Sequence, residues 1–402
     1  MAKLLKKANN LFLLLTVMVV GICFFSCKKV PAPLSTSASF IKTYQNDSSV
    51  EATYIEQMQD GGFLIISCEG AGRPVITKTD KSGNQRWVKT VQKNWYNLYS
   101  GNSGHCFITK ISDNLYNLQA GFYITNIDTL GNIINAALPN PYHFNGPILK
   151  IGSNYIAPWT DGWQQSGSTD NDILKFDNTL TYQGKDTFLD TKVGGRILQF
   201  FVYGLTSTGD YNIWGQKFTK QNWSFSDNYK IFIARISKTG KAIQTIIDGN
   251  KLNVADQPEY QLSGPDSTEI LLASREEYYT QVIYPIIIKV DKNLDTIWKK
   301  EYPSSAGSLI LNCMTKCNDG GFMVTGKIQD FGVNNEHPYA LKIDKDGKEQ
   351  WHKIISSKGT GQFLYGISTS DGGYALVGFT NDFGGQLNGN RILFVKTDAN
   401  GN

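Results

Sequence analysis

The stretch Asp319-Gly320-Gly321-Phe322-Met323-Val324 joins a turn signal to the start of an apolar strand. Asp-Gly and Gly-Gly pairs accept the positive φ that tight hairpins demand. Downstream come Lys342-Ile343-Asp344, the polar turn Asp344-Lys345-Asp346-Gly347, and Trp351, seven residues beyond Asp344. The same string returns along the chain. The Lys-x-Asp step recurs as Lys78/Asp80, Lys175/Asp177, Lys289/Asp291 and Lys396/Asp398, with degenerate copies at Asn126/Asp128 and Arg235/Ser237. The second residues of these pairs are spaced 48, 49, 60, 54, 53 and 54 apart. A turn signal precedes each, as in Asp60-Gly61-Gly62, Thr208-Gly209-Asp210 and Asp371-Gly372-Gly373. Two independent markers that keep one period define a repeat.

Each unit reads as four strands. In the last unit they begin with Phe363 to Ser368, Tyr374 to Phe379 and Ile392 to Val395. The middle strands are apolar throughout rather than alternating, which places them between two neighbouring sheets. The fourth strand starts with an aromatic: Trp87, Trp298 or Trp351. A seventh Trp would fall beyond Asn402, and Phe40-Ile41-Lys42 matches Trp87-Val88-Lys89 and Trp351-His352-Lys353. The chain is therefore expected to be all-β, a seven-bladed β-propeller over residues 40–402. Its last blade is expected to be closed by the N-terminal strand, which removes an open sheet edge.

The first residues read as an address. Lys3, Lys6 and Lys7 precede a 15-residue apolar run, Leu11 to Phe25, short for a membrane span. Ser26-Cys27 after that run resembles a bacterial lipobox. The resemblance implies a signal peptide over 1–26, lipid attachment at Cys27, a tether over 27–39, and a bacterial cell-envelope location on the periplasmic side or outer surface. Loss of the three lysines brings the 39 basic and 35 acidic residues close to parity, so no basic surface for nucleic acid is expected. Cys68 and Cys106 lie in apolar runs of neighbouring repeats, where an oxidising compartment would let them pair; small buried hydrophobes are the alternative reading, as for Cys313 and Cys317. No CxxC occurs, and no metal ligand set or cofactor is expected.

The repeats resemble the tandem Asp-Gly-Gly-(Tyr/Phe) propeller units of Bacteroidetes-type envelope lipoproteins and, more distantly, quinoprotein-type propellers. The resemblance covers residues 40–402 and implies architecture. It assigns no activity, because the motif residues make turns and dock blades. The second, third and fourth units lack the Trp.

Alternating strand direction puts the connections between strands two and three, and between units, on one face, and these read as the long ones. They carry Trp159, Trp163, Trp223, Tyr278, Tyr279, Phe331 and Phe383 among amides and hydroxyls. Flat rings flanked by such groups suit a sugar ring or a peptide surface, so these seven are the candidate ligand-binding residues. The expected function is a non-enzymatic binding or scaffold module for a protein or glycan. The alternative is a polysaccharide-acting hydrolase or lyase, for which Glu276, Glu277, Asp161, Asp170, Asp172, Asp330 and Glu336 offer carboxylates. No catalytic residue is assigned: His143 and His337 lack ligand spacing, and no phosphate loop or nucleophile elbow is present.

Overall fold

The computed structural model describes residues 39–402 apart from 45–48, 70–72, 92–105, 121–122, 138–147, 161–169, 190–195, 207, 219–228, 249–253, 265–267, 278, 334, 356–358 and 383–388. These residues form seven four-stranded antiparallel sheets and no helix. Each of blades 1 to 6 is contiguous in sequence, from Val50–Gln57 as the inner strand of blade 1 to Glu349–Ile354 as the outer strand of blade 6. Blade 7 takes three strands from the C-terminal end and its outer strand from Phe40–Tyr44. That strand pairs antiparallel with Arg391–Thr397, Phe40 opposite Lys396 and Tyr44 opposite Ile392. The ring is thus closed by its two ends, and Ser39 Oγ donates to Asn402 O at 2.6 Å beside the seam.

The two sequence markers turn out to be one structural unit. In blades 1, 6 and 7 the lysine of the Lys-x-Asp step reaches back to the aspartate of the Asp-Gly-Gly turn. The pairs are Lys78–Asp60 at 2.8 Å, Lys342–Asp319 at 2.8 Å and Lys396–Asp371 at 2.9 Å. The same aspartate accepts the N–H of the second glycine, as Asp319 Oδ1 does from Gly321 at 2.9 Å. The first glycine, Gly320, sits at φ +82, and the second has no room for a side chain: a Cβ on Gly321 would lie 2.3 Å from Ile343 O. The aspartate of the Lys-x-Asp step does a different job. Asp344 Oδ1 accepts from the N–H groups of Asp346 and Lys348 at 2.9 and 2.8 Å, closing the turn between strands three and four. Asp80, Asp128, Asp177, Asp291 and Asp398 repeat this bond pattern, and Ser237 Oγ accepts from Lys241 N in blade 4.

In blades 5, 6 and 7 the outer-strand aromatic docks the blade on the next. A Cβ on Gly347 of blade 6 would meet the Trp298 ring of blade 5 at 3.0 Å, and one on Gly401 of blade 7 would meet Trp351 of blade 6 at 3.0 Å. Across the closure, Phe40 fills the same place against Gly83 of blade 1. The lysine two residues after the aromatic bonds the next turn: Lys42 to Asn84, Lys89 to Asn132 and Lys353 to Asn402. Apolar clusters fill the seams between blades, such as Val50, Ile55, Ile65, Val377, Ile392 and Phe394 between blades 1 and 7. Burying such side chains is the main stabilising term, about 1.5–3 kcal/mol each.

The sequence reading is corrected in one respect. The connections between strands two and three are not uniformly long: they shrink to residues 70–72 in blade 1 and 121–122 in blade 2. The longer ones are 161–169, 219–228 and 381–390, in blades 3, 4 and 7.

Candidate functional site

Six of the seven inner strands carry register shifts, one extra residue in five of them and two in that of blade 4. Bulges re-aim side chains and are favoured at sheet edges and near sites. Around the axis they bring tyrosines together. Tyr54 of blade 1 packs on Tyr365 of blade 7 with ring centroids 5.0 Å apart, and meets Tyr116 of blade 2 edge-on at 5.8 Å. Tyr260 of blade 5 bonds the Cys313 thiol of blade 6 and lies within electrostatic reach of Tyr365 and Tyr54. Blades 6 and 7 stand between blades 5 and 1, so Tyr260 and Tyr54 approach each other only by crossing the axis. Burial, then the neighbouring Cys313 and tyrosines, pushes the Tyr260 phenol well above its ordinary range, and burial pushes the Cys313 thiol up to about 12. Tyrosine rings from blades 1, 5 and 7 thus line the axis at this level. Beside them Glu56 accepts from Tyr116 OH at 2.7 Å and Tyr54 OH at 3.3 Å and pairs with Lys110.

The long-connection face is less evenly filled. Between blades 4 and 5 a cavity of about 160 Å³ is lined by Gln216, Tyr229, Ala255, Gln257, Ser274, Glu276 and Ile283. The strand period explains its blade 5 wall. Asp256 and Arg275 are register partners and turn to the opposite side of the sheet, where Arg275 grips Asp256 at 2.6 and 2.8 Å and Glu301 at 2.9 Å. The residues on either side of them, Ala255, Gln257, Ser274 and Glu276, therefore share the face toward blade 4. Gln216 Nε2 donates to Asp256 O at 2.7 Å, which fixes that amide and leaves its oxygen as the acceptor. Ser274 is 7% exposed and its hydroxyl makes no hydrogen bond of ordinary geometry. The extra residue of the adjacent bulge is Glu259, whose carboxyl is pushed up to about 7 by burial, offset slightly by its loose contact with the Ser274 hydroxyl.

Of the sequence-predicted binding residues, Tyr279 and Phe331 are exposed. Tyr279 is 77% exposed at the tip of the hairpin whose feet, Glu276 and Ile283, line the cavity; Phe331 is 52% exposed on the corresponding hairpin of blade 6. Trp159 lies in the strand Asn154–Thr160, paired with Asp172, and its side chain falls outside the described set. Trp163, Trp223, Tyr278, Phe383 and the lipid-attachment residue Cys27 lie outside the described residues. Among the carboxylates, Asp172 is fully buried and tied to Lys185 and Thr187, Glu336 pairs with Lys327, and Asp330 meets His337 Nε2 at 3.2 Å. Cys313 and Cys317 are buried free thiols, as the bland reading of those two expects. Cys68 departs from that reading, for it is disulfide-bonded.

Ser274, Gln216, Tyr229 and the axial tyrosines carry no sequence motif. They meet only because strands far apart in the chain face one seam or one axis. Glu276 is the single cavity residue that sequence reading had singled out.

No family model and no curated relative matches the chain. Solved structures do. A protein of unknown function from Bacteroides caccae is 10% identical over 77% of this chain and 94% of its own, with a TM-score of 0.43. The Dos1 propeller is 12% identical over 88% and 95%, with a TM-score of 0.44. An endo-arabinase from Bacteroides thetaiotaomicron VPI-5482 is 11% identical over 64% and 95%, with a TM-score of 0.35. Likenesses of this size carry no argument about activity; the blade count rests on the strand pairings of the chain itself.

Proposed function

We propose that this chain is a lipid-anchored envelope propeller that acts without catalysis, binding a protein or glycan partner through its long-connection face. The observation that carries the reading is the contrast between the two places where propellers can hold ligands. Tyr54, Tyr260 and Tyr365 line the axis, while the seam between blades 4 and 5 holds a cavity at the foot of the hairpin that carries the exposed Tyr279. A hydrolase acting on polysaccharide would need two carboxyl groups facing one bond across roughly 5–9.5 Å. Glu56, the carboxylate beside the axial tyrosines, is engaged by Lys110, Tyr54 and Tyr116, which weighs against a hydrolase at the axis.

The test is retention of envelope proteins and cell-wall or capsular glycans on an immobilised soluble form beginning after Cys27. Wild type is compared with a Trp163→Ala/Trp223→Ala/Tyr279→Ala variant. Loss of a retained partner in the variant, with an unchanged melting profile, supports the reading. Equal retention by both forms refutes it.

A further inference from the structure

We infer that the turn end of blade 7, with the corners of blades 1 and 6 beside it, is the surface that seats on an anionic lipid headgroup layer, so that the long-connection face points away from the membrane. This rests on the lipid-anchor reading above and adds the orientation that the anchor imposes.

The fold fixes where the tether enters. Phe40 pairs with Lys396 at the end of the strand that runs into the Asp398 turn, and Ser39 Oγ donates to Asn402 O at 2.6 Å. The tether therefore joins the ring at the end that carries the short turns, opposite the hairpins of Tyr279 and Phe331. Lys28 to Ser39 are 12 residues. As a coil they span about 20 Å, and fully extended about 40 Å. A ten-residue inner strand such as Gly307–Lys316 is about 33 Å long. To bring the long-connection face to the bilayer, the tether would have to climb most of that height almost fully stretched. With the turn end down it stays coiled.

The side chains around the entry point suit a headgroup layer. Ile41, beside the first residue of the closing strand, is 50% exposed. Lys81 of blade 1 and Lys348 of blade 6 are exposed on the turns to either side. Lys42 and Lys353, at the two seams of blade 7, donate to the neutral amides of Asn84 and Asn402. The carboxylates of this corner are engaged. Asp80, Asp344 and Asp398 accept from N–H groups of their own turns, Asp346 pairs with Lys345, and Glu349 meets His352. Lysines within a Debye length of an anionic leaflet are attracted to it, and an apolar side chain among them enters the headgroup boundary. A protein covering this corner is the rival occupant, and it would hold the turn end away from lipid.

The experiment uses the full lipidated protein in vesicles of phosphatidylethanolamine and phosphatidylglycerol. Single dyes are attached at Ser82→Cys or Asn400→Cys on the turn end, and at Tyr279→Cys or Phe331→Cys on the other. All four positions are exposed, whereas Cys313 and Cys317 are buried and Cys68 is disulfide-bonded. Energy transfer to an acceptor-labelled lipid is then measured. Transfer from the turn-end dyes should exceed that from the hairpin dyes by about twofold or more, given the strand length between them. An Ile41→Ser/Lys81→Glu/Lys348→Glu variant with an unchanged melt should bring the ratio toward parity. Equal or reversed transfer in wild type overturns the inference, and so does a wild-type ratio that the triple variant leaves unaltered. Membrane fractionation of wild type against Cys27→Ser tests the parent reading separately. Wild type as soluble as Cys27→Ser sinks the anchor and the orientation with it; membrane-bound wild type with equal transfer sinks the orientation alone.

Discussion

Glu259 gives the sharpest physical prediction. Its carboxyl sits in the bulge of an inner strand, largely out of water, and burial pushes it up from 4.5 to about 7. A group whose folded pKa is raised holds its proton more tightly in the folded state. Its contribution to stability is therefore complete below the unfolded value, near pH 4.5, and is lost as pH rises through about 7. A shift of roughly 2.5 units at 1.36 kcal/mol each is worth about 3 kcal/mol, most of it lost between pH 5 and pH 8. Glu259→Gln keeps the shape and removes the titration. The variant should differ little from wild type at pH 5 and gain on it by about 2–3 kcal/mol at pH 8. An unfolding entropy of about 2.1 cal/mol/K per residue over a domain of this size turns that gain into roughly 3 °C of melting temperature. Thermal unfolding of both proteins, followed by near-UV circular dichroism at the two pH values, measures it. An equal difference at pH 5 and pH 8, or a variant less stable at pH 8, would show that Glu259 is solvated and the reasoning wrong.

Phe40→Ala removes the ring that sits over Gly83 and packs edge-on against Phe394 at 5.0 Å. Because Phe40 is partly buried, the cost should be about 2–3 kcal/mol, below that of a fully buried Phe, and deleting residues 39–44 should abolish a single cooperative melt. Asp319→Ala strips the counter-ion from Lys342, which is fully buried but keeps Ile343 O and Gln350 Oε1 as acceptors, and should cost about 2–3 kcal/mol in urea unfolding. Asp60→Ala should cost about 1 kcal/mol, because the Lys78 side chain is 14% exposed and can reach water; an equal cost for both would contradict the burial argument. Reduction of the Cys68 disulfide should lower the melting temperature, and alkylation without reduction should leave Cys68 unlabelled in peptide mass spectra while denatured Cys313 and Cys317 react.

The architecture was legible because its signals are local. Asp344 accepts from residues two and four places on, so the turn is written in five consecutive residues. The period then follows from repetition, and the closure from one unmatched strand. The pairing of Lys342 with Asp319 was visible only as two markers sharing a period, since nothing in sequence says that a lysine 23 places downstream folds back onto the turn. The axial tyrosines were not legible at all. Tyr54, Tyr260 and Tyr365 sit beside bulges, and a bulge shifts side-chain direction without leaving a compositional trace. The long-connection face was placed correctly by strand alternation, but its relief depends on loop lengths that differ blade by blade.

Where the repeat decays, the seams are held differently, and that bears on why a cavity occurs where it does. The position of the docking Trp, opposite the lysine of the Lys-x-Asp step, is Asn135 in blade 2, Gly184 in blade 3 and Gln244 in blade 4. Polar links replace the wedge: Asn135 donates to Asn178 O of blade 3 at 3.3 Å, and Arg235 of blade 4 donates to Lys292 O of blade 5 at 2.8 Å. A neutral or charge-assisted hydrogen bond fixes two backbones at a point, whereas an indole fills volume along a seam. Between the links from Arg235 to Lys292 O and from Gln216 to Asp256 O, blade 4 meets blade 5 through a buried apolar cluster that includes Trp214, Ile233, Ile286 and Ile288, and the cavity lies beside the second link. Local rules tend to fail at functional sites, with the cost met elsewhere in the fold. Here the failing rule is the docking aromatic; the seam is packed instead by the cluster around Trp214, and the buried Arg275–Asp256 pair lies on the far side of the cavity wall. Removing that pair should disturb the cavity before it disturbs the ring, because the closure between blades 1 and 7 shares no contact with it.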